Sequence, residues 1–273
     1  MRILLPVDGS IYSQTAIRFL AARQSTFGDD LQIELLNVQH LIPKALIELL
    51  SLTAVNAYSE AESQKIFDSL DDTVTRSGLI AETQSLTGDI GDTIVEEAQK
   101  TQANLVVMGT HGRSGLSSLL LGSVSIRVLS KIQCPLLLIR ENSPVIQNHL
   151  RVGLCVDDAQ HAIAAAKLIS EHINFFGQSP DIKVIHVINP AEQPPEQDAV
   201  TPVMDIFRES DIPAQFVKLE GIASKSICQY ANKHLDLIVM GSHGYGNLKS
   251  AALGSTASRI AANSSLPILI VKA

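Results

Sequence analysis

The stretch "VVMGTHGRSGLSSLLLGS", Val106–Ser123, decides how this chain folds. A short apolar run ends at Met108. Gly109 and Gly112 follow, and Gly122-Ser123 then opens the helical pattern "SVSIRVLSKI". A second stretch, "IVMGSHGYGNLKSAALGS" (Ile238–Ser255), repeats the same gaps with Gly241, Gly244, Gly254 and Ser255. Set side by side without a gap, Asn104–Ser123 and Asp236–Ser255 share 11 identities in 20 positions. Self-similarity of this kind is the first thing to look for in a chain of 273 residues.

Working outward, "LTGDIGDTIVEEA" (Leu86–Ala98) corresponds to "LEGIASKSICQYA" (Leu219–Ala231), and "CPLLLIR" to "LPILIVKA". At the front, "ILLPVD" (Ile3–Asp8) corresponds to "VGLCVD" (Val152–Asp157), and "LLNV" (Leu35–Val38) to "VIHV" (Val184–Val187). The chain is a duplication, with copies at 1–141 and 151–273 joined by the polar segment Glu141–Leu150. Each copy is domain-sized, which makes this a tandem pair and not a solenoid.

Within a copy, Val/Ile/Leu-rich runs (Ile3–Val7, Ile33–Val38, Thr83–Leu86, Leu105–Met108, Leu136–Ile139) alternate with helical patterns such as Ser13–Gln24 and Ile90–Gln102. Continuous apolar strands between helices predict an α/β domain whose parallel sheet is covered on both faces. Two doubly wound, five-stranded domains are expected. The first copy is longer between its second and third strands, where Leu41–Gly78 reads as two helices or one long broken one. In the second copy the Pro-rich Ile188–Ser210 reads as loop followed by a short helix.

Bulk properties narrow the function. Net charge is −7 with Lys and Arg scattered, which is not the footprint of a nucleic-acid binder. No apolar run approaches the roughly 18 residues of a membrane span. The three cysteines, Cys134, Cys155 and Cys228, have no paired spacing and read as buried reduced thiols. With so short an apolar run before Asp8, the expectation is a cytoplasmic protein with no membrane partner.

The glycines begin where a strand ends, which is where open α/β sheets bind ligands. Gly109 and Gly112 let the backbone turn and approach a ligand closely. Gly122-Ser123 stands at a helix start, where unpaired N–H groups and the dipole favour an anion such as phosphate. The same residues also serve an ordinary turn and an ordinary N-cap. Neither G-x4-G-K-[ST] nor G-x-G-x-x-G occurs.

With "LLPVDGS" (Leu4–Ser10), "LLNV" and the G-x2-G-x9-G-S element, the chain resembles a tandem universal stress protein over both copies. The resemblance implies a Rossmann-like, adenine nucleotide alpha hydrolase-like fold and an ATP-binding protein of the stress response. By position it implies Pro6, Asp8 and Val38 around adenine and ribose, with Met108, Gly109, His111 and Gly112 along the nucleotide. Gly122, Ser123, Val124 and Ser125 would hold the phosphates. The second copy offers Asp157, Val187, Met240, Gly241, His243, Gly244, Gly254, Ser255 and Thr256 as a second site. It departs elsewhere: Cys155 replaces Pro6, Asp158 replaces Gly9, Ala257 replaces Ser125 and Tyr245 replaces Arg113. An extra carboxylate beside a triphosphate costs about 1 kcal/mol or more. The expectation is ATP in the first copy and weaker binding, or another ligand, in the second.

His111 and His243 have no Cys, Asp or Glu at a triad or metal spacing, so a packing role is expected of them. Asp8 and Asp157 suit a ribose hydroxyl or a Mg ion on the phosphates, and Arg113 suits phosphate or solvent equally. AMP and ADP remain alternatives to ATP. A regulatory protein whose nucleotide occupancy is read by a protein partner is the first expectation. A slow ATPase is the second, and a nucleotide-independent scaffold the third. The family also implies that the last strands of the copies, Pro135–Arg140 and Pro267–Lys272, pair within the chain as an internal pseudo-dimer. A homodimer of whole chains is left open.

Overall fold

The apolar runs are strands. The computed structural model describes residues 1–27, 31–41, 52–110, 121–146, 149–157, 159–188, 198–242 and 253–272. In the first copy β1 (Arg2–Pro6), β2 (Gln32–His40), β3 (Glu82–Gly88), β4 (Leu105–Gly109) and β5 (Leu136–Ile139) alternate with α1 (Ile11–Phe27), α2 (Leu52–Ser77), α3 (Ile90–Lys100) and α4 (Ser123–Lys131). The second copy runs β6 (Arg151–Cys155), α5 (Ala159–Glu171), a 3-10 turn (Ile173–Phe176), β7 (Asp181–Ile188) and α6 (Val200–Glu209). It continues with β8 (Ala214–Glu220), α7 (Ala223–His234), β9 (Leu237–Gly241), α8 (Ser255–Asn263) and β10 (Ile268–Val271).

The strands form one ten-stranded sheet in the order β3-β2-β1-β4-β5-β10-β9-β6-β7-β8. Every pairing within a copy is parallel. At the seam β10 lies antiparallel to β5, with Ile268 opposite Leu138 and Ile270 opposite Leu136. The expected meeting of the two final strands is therefore present, and the two five-stranded sheets are halves of one. Pairing covers two apolar edges that would otherwise invite association. All four residues of β5 and of β10 are buried. The outermost strands β3 and β8 carry only intermediate and exposed residues.

Two apolar layers sandwich the sheet, and each runs through both copies. One joins Leu5, Ile17, Val107 and Leu137 to Leu154, Ala166 and Leu269. The other joins Leu36, Ile94, Met108 and Leu129 to Ile185, Ile227 and Ile260. Of this longer segment in the first copy, α2 is one 26-residue helix, while 42–51 lies outside the described residues. A buried chain of hydrogen bonds ties it down. Ser63 Oγ on α2 donates to Asn37 Oδ1 (2.8 Å), and Asn37 Nδ2 donates to Val7 O (2.7 Å). In the second copy His186 takes the place of Asn37, with Nδ1 at 2.9 Å from Val156 O. The expected short helix there is α6, and Asp198, just before its N-cap Ala199, accepts from Val200 N and Thr201 N.

Helix α1 crosses the seam. Phe19 meets Phe175 at 6.4 Å between ring centroids, and Thr26 Oγ1 donates to Asn174 O (2.8 Å). Arg23 sits there fully buried, its guanidinium 5.3 Å from the Phe19 ring centroid. Burial lowers its pKa to about 10, against an opposing pull from Asp236. Among the described residues none of its three guanidinium nitrogens has a hydrogen-bond acceptor. Asp236 is held instead by Arg151, which donates Nε at 3.0 Å and Nη2 at 2.6 Å.

Candidate functional site

In each half of the sheet the strand order reverses between the first and fourth strands of the copy, β1 and β4 or β6 and β9. Helices leave such a point in opposite directions, and the strand ends there open onto a crevice. In the first copy that crevice is a cleft of about 190 Å³. Its base is apolar: Leu36 and Val38 from β2, Met108 from β4, and Ile90 and Ile94 from α3. Met108 and Val38 are nearly covered, at 5% and 7% exposure. Helix α3 is held in place by Asp89, whose carboxylate caps it by accepting from Asp92 N (3.1 Å). Asp92 in turn pairs with Arg127 and Lys131 on α4, each at 2.8 Å. These two cations hold its carboxyl well below the usual range.

The glycine segment is framed by backbone bonds. Thr110 N donates to Ile139 O (3.0 Å), continuing the β4–β5 ladder, and Gly122 N donates to Thr110 O (2.7 Å). Gly122 is the N-cap of α4, in an extended conformation that gives the helix no side-chain cap. The first turn of α4 thus lines the cleft with Ser123, Val124 and Ser125, and a positive dipole end. Ser123 is exposed. Ser125 is 2% exposed, and its hydroxyl donates to Gly109 O (3.1 Å) and more weakly to Thr110 O (3.4 Å), tying α4 to the end of β4.

Across the cleft, Pro6, Val7 and Asp8 close the end of β1. Asp8 Oδ1 accepts from Ser10 N (3.0 Å) and from Ser13 Oγ (2.8 Å). The structure thus gathers Pro6, Asp8, Val38, Met108, Gly109, Gly122, Ser123, Val124 and Ser125 around one space. His111, Gly112 and Arg113 lie outside the described residues. Leu36, Ser13, Ile90 and Ile94 line the cleft without having been singled out in the sequence. Three of them look like ordinary core residues, and Ser13 like a polar helix position.

The second copy keeps the frame. Ser242 N donates to Val271 O (3.0 Å), Gly254 N to Ser242 O (2.8 Å), and Gly254 caps α8 in the same extended conformation as Gly122. Met240 is buried, Val187 and Gly241 are half-buried, and Ser255 and Asp157 are exposed. Thr256 is half-buried beside them, whereas His243, Gly244, Tyr245 and Asp158 lie outside the described residues. The grips differ. Cys155 stands for Pro6, and burial pushes its thiol pKa far up, leaving a protonated, inert side chain. Ala257, 7% exposed, has no hydroxyl to tie the helix to the strand end. Leu253 is buried in the core, whereas its counterpart Leu121 is half-buried. Among the described residues no group of three or more His, Cys, Asp or Glu could hold a metal in either copy. No described helix is long and apolar enough to cross a membrane.

Known proteins share this architecture. The model of the universal stress protein family matches residues 1–140 and again 150–272. A universal stress protein of Methanocaldococcus jannaschii is 30% identical over 141 residues, covering 51% of this chain and 82% of its own. One from Mycolicibacterium smegmatis is 25% identical over 295 residues, covering 99% of this chain and 96% of its own. The crystal structure of a universal stress protein from Archaeoglobus fulgidus superposes with a TM-score of 0.74 at 24% identity, over 99% of this chain and 98% of that one. That superposition bears on the fold. With two family domains end to end, this chain belongs to the universal stress protein family.

Proposed function

We propose that the N-terminal copy is an adenine-nucleotide site, for ATP or its shorter relatives ADP and AMP, and that the protein is a cytoplasmic regulator read by a protein partner. One observation carries this reading. An apolar cleft at the reversal of strand order ends at a helix N-terminus that has a glycine where a capping side chain would be. An apolar slot suits a flat base, and bare N–H groups with a positive dipole end suit phosphate. In this reading the base enters between Val38, Ile90 and Ile94, the sugar passes Asp8, and the phosphates reach Ser123 and Val124.

A Mg ion would be carried on the phosphates, because Asp8 is the one carboxylate among the described lining residues. That lining holds no Lys, Arg or His. Phosphoryl transfer needs a charge-stabilising cation and an oriented water, and the described lining residues are suited to binding, with slow ATPase activity the alternative. The C-terminal copy, with Cys155, Ala162 and Ala257 in its frame, binds nucleotide weakly or takes another ligand.

Thermal melts with ATP, ADP, AMP and GTP test the proposal. A ligand of the native state stabilises by about 2.7 kcal/mol at a hundred times its Kd. Adenine nucleotides are expected to raise Tm with concentration and GTP to have little effect. No shift with any adenine nucleotide, in a protein shown to be folded, would leave the scaffold role standing.

A further inference from the structure

We propose that Ser13 is a positioning residue that holds Asp8 as a selector for sugar hydroxyls, so that the N-terminal cleft prefers ribonucleotides to their deoxy forms. This rests on the adenine-nucleotide reading above. Ser13 stands in the first turn of α1 and is 4% exposed. Its hydroxyl donates to Asp8 Oδ1 (2.8 Å) and accepts from Asp8 N (3.0 Å). The one proton of the hydroxyl and a lone pair are thus both spent on a single residue. Ser10 N adds a second donor to the same Oδ1 (3.0 Å). The terminal torsion of an aspartate is soft. Two donors fixed to the backbone of one turn and the first turn of a helix remove that softness.

A carboxylate can only accept hydrogen bonds, so it recognises donors and repels phosphate. Position then selects among the donors of a nucleotide. Asp8 follows β1, which has β2 on one side and β4 on the other. Four of the five apolar residues of the slot come from β2 and α3, with Met108 of β4 the fifth, and the anion-attracting helix follows β4. What lies between base and phosphate is the sugar, whose donors are its hydroxyls. The second copy is the natural contrast. Asp157 is retained and exposed, but the position of Ser13 is held by Ala162, 2% exposed, which has no hydroxyl to give.

The test is calorimetric titration of the full chain with ATP and with 2′,3′-dideoxy-ATP. A hydrogen bond to a charged group is worth enough that the wild type should prefer ATP by about tenfold or more. In Ser13→Ala that preference should collapse to about threefold or less, while Ser13→Thr, which keeps a hydroxyl, restores it. Asp8→Asn, with Ser13 in place, should lose the preference as well. Circular dichroism confirms that each variant is folded. Equal weakening of both ligands in Ser13→Ala, with their ratio intact, overturns the proposal, since that is what a merely structural serine does. Equal binding of both ligands by the wild type also overturns it, because Asp8 is then not on the sugar. Binding of neither ligand by the wild type defeats the nucleotide reading itself, and the selector with it.

Discussion

The two glycine segments are framed by nearly the same skeleton, and the linings around them differ. Thr110 and Ser242 reach the neighbouring strand with bonds of equal length, 3.0 Å, and Gly122 and Gly254 cap their helices with ψ of 155° and 159°. Around that skeleton the first copy places Pro6, Ser13 and Ser125, and the second Cys155, Ala162 and Ala257. The skeleton belongs to the fold, because it ends one strand and starts one helix in each copy. Under the proposed function the lining serves the ligand, and a copy can lose it without losing the sheet. Duplication thus left one chain with two equivalent frames and, in our reading, one equipped site.

The variant expected to strain this contrast most is Ser123→Asp. A carboxylate at the first position of α4 suits the helix dipole, so the fold is retained. Beside a phosphate it should cost about 4 kcal/mol at a separation of 4 Å, a loss of affinity of roughly a thousandfold. Ser255→Asp at the matching position of α8 should leave the measured nucleotide affinity where it was. Equal losses from the two would erase the difference between the copies.

The seam is asymmetric as well. Arg23→Met should stabilise the chain by about 1–4 kcal/mol, because a buried cation with no acceptor among the described residues is exchanged for a packed side chain of similar volume. Urea unfolding measures this, and a clear destabilisation would mean that the guanidinium is satisfied after all. A smaller effect separates Asp236 from Asn104, the residues that receive Arg151 N and Arg2 N at matching places. Burial pushes the Asp236 carboxyl up, but the hydrogen bonds and charge of Arg151 more than reverse it, so its pKa lies below the usual 3.8. A carboxyl depressed in the folded state contributes stability that is complete above its unfolded pKa and is lost as pH falls through the folded one. Asp236→Asn should therefore flatten the acid limb of stability below about pH 4, whereas Asn104→Ala should leave that slope alone.

Smallest of all is the outer pair on the first copy. Asp92 meets Arg127 and Lys131, and the second copy has Lys225, Arg259 and Asn263 at those positions. Surface pairs contribute little and are screened by salt. Asp92→Asn should lower Tm slightly in low salt and not measurably in high salt. A large loss that persisted in high salt would give this pair a role in the fold that its exposure argues against.

Much of this was legible in the residues. Strands buried on both faces must be apolar throughout, so β1, β4 and β5 stand out as runs, and the repeat reveals their partners in the second copy. The seam was implied by the family resemblance, and the two apolar strands that each end a copy are consistent with it. Edge strands are harder to read, since β3 takes its burial on one side at most and "ETQSLTG" carries a weak signal. The floor of the cleft was hidden for a different reason. Leu36, Ile90 and Ile94 are apolar whether they face a ligand or the core, and only the backbone tells which. Ser13 was hidden because its partner, Asp8, is made a neighbour by the turn into α1. Arg23 reads as a surface cation on a helix until the second copy is seen to cover it.

The most direct measurement is titration of the nucleotide-stripped chain with Mg-ATP by calorimetry, read for stoichiometry. One ATP per chain, abolished by Ser123→Asp and untouched by Ser255→Asp, is the predicted result. Two equivalent sites per chain, or none in a folded protein, would contradict it.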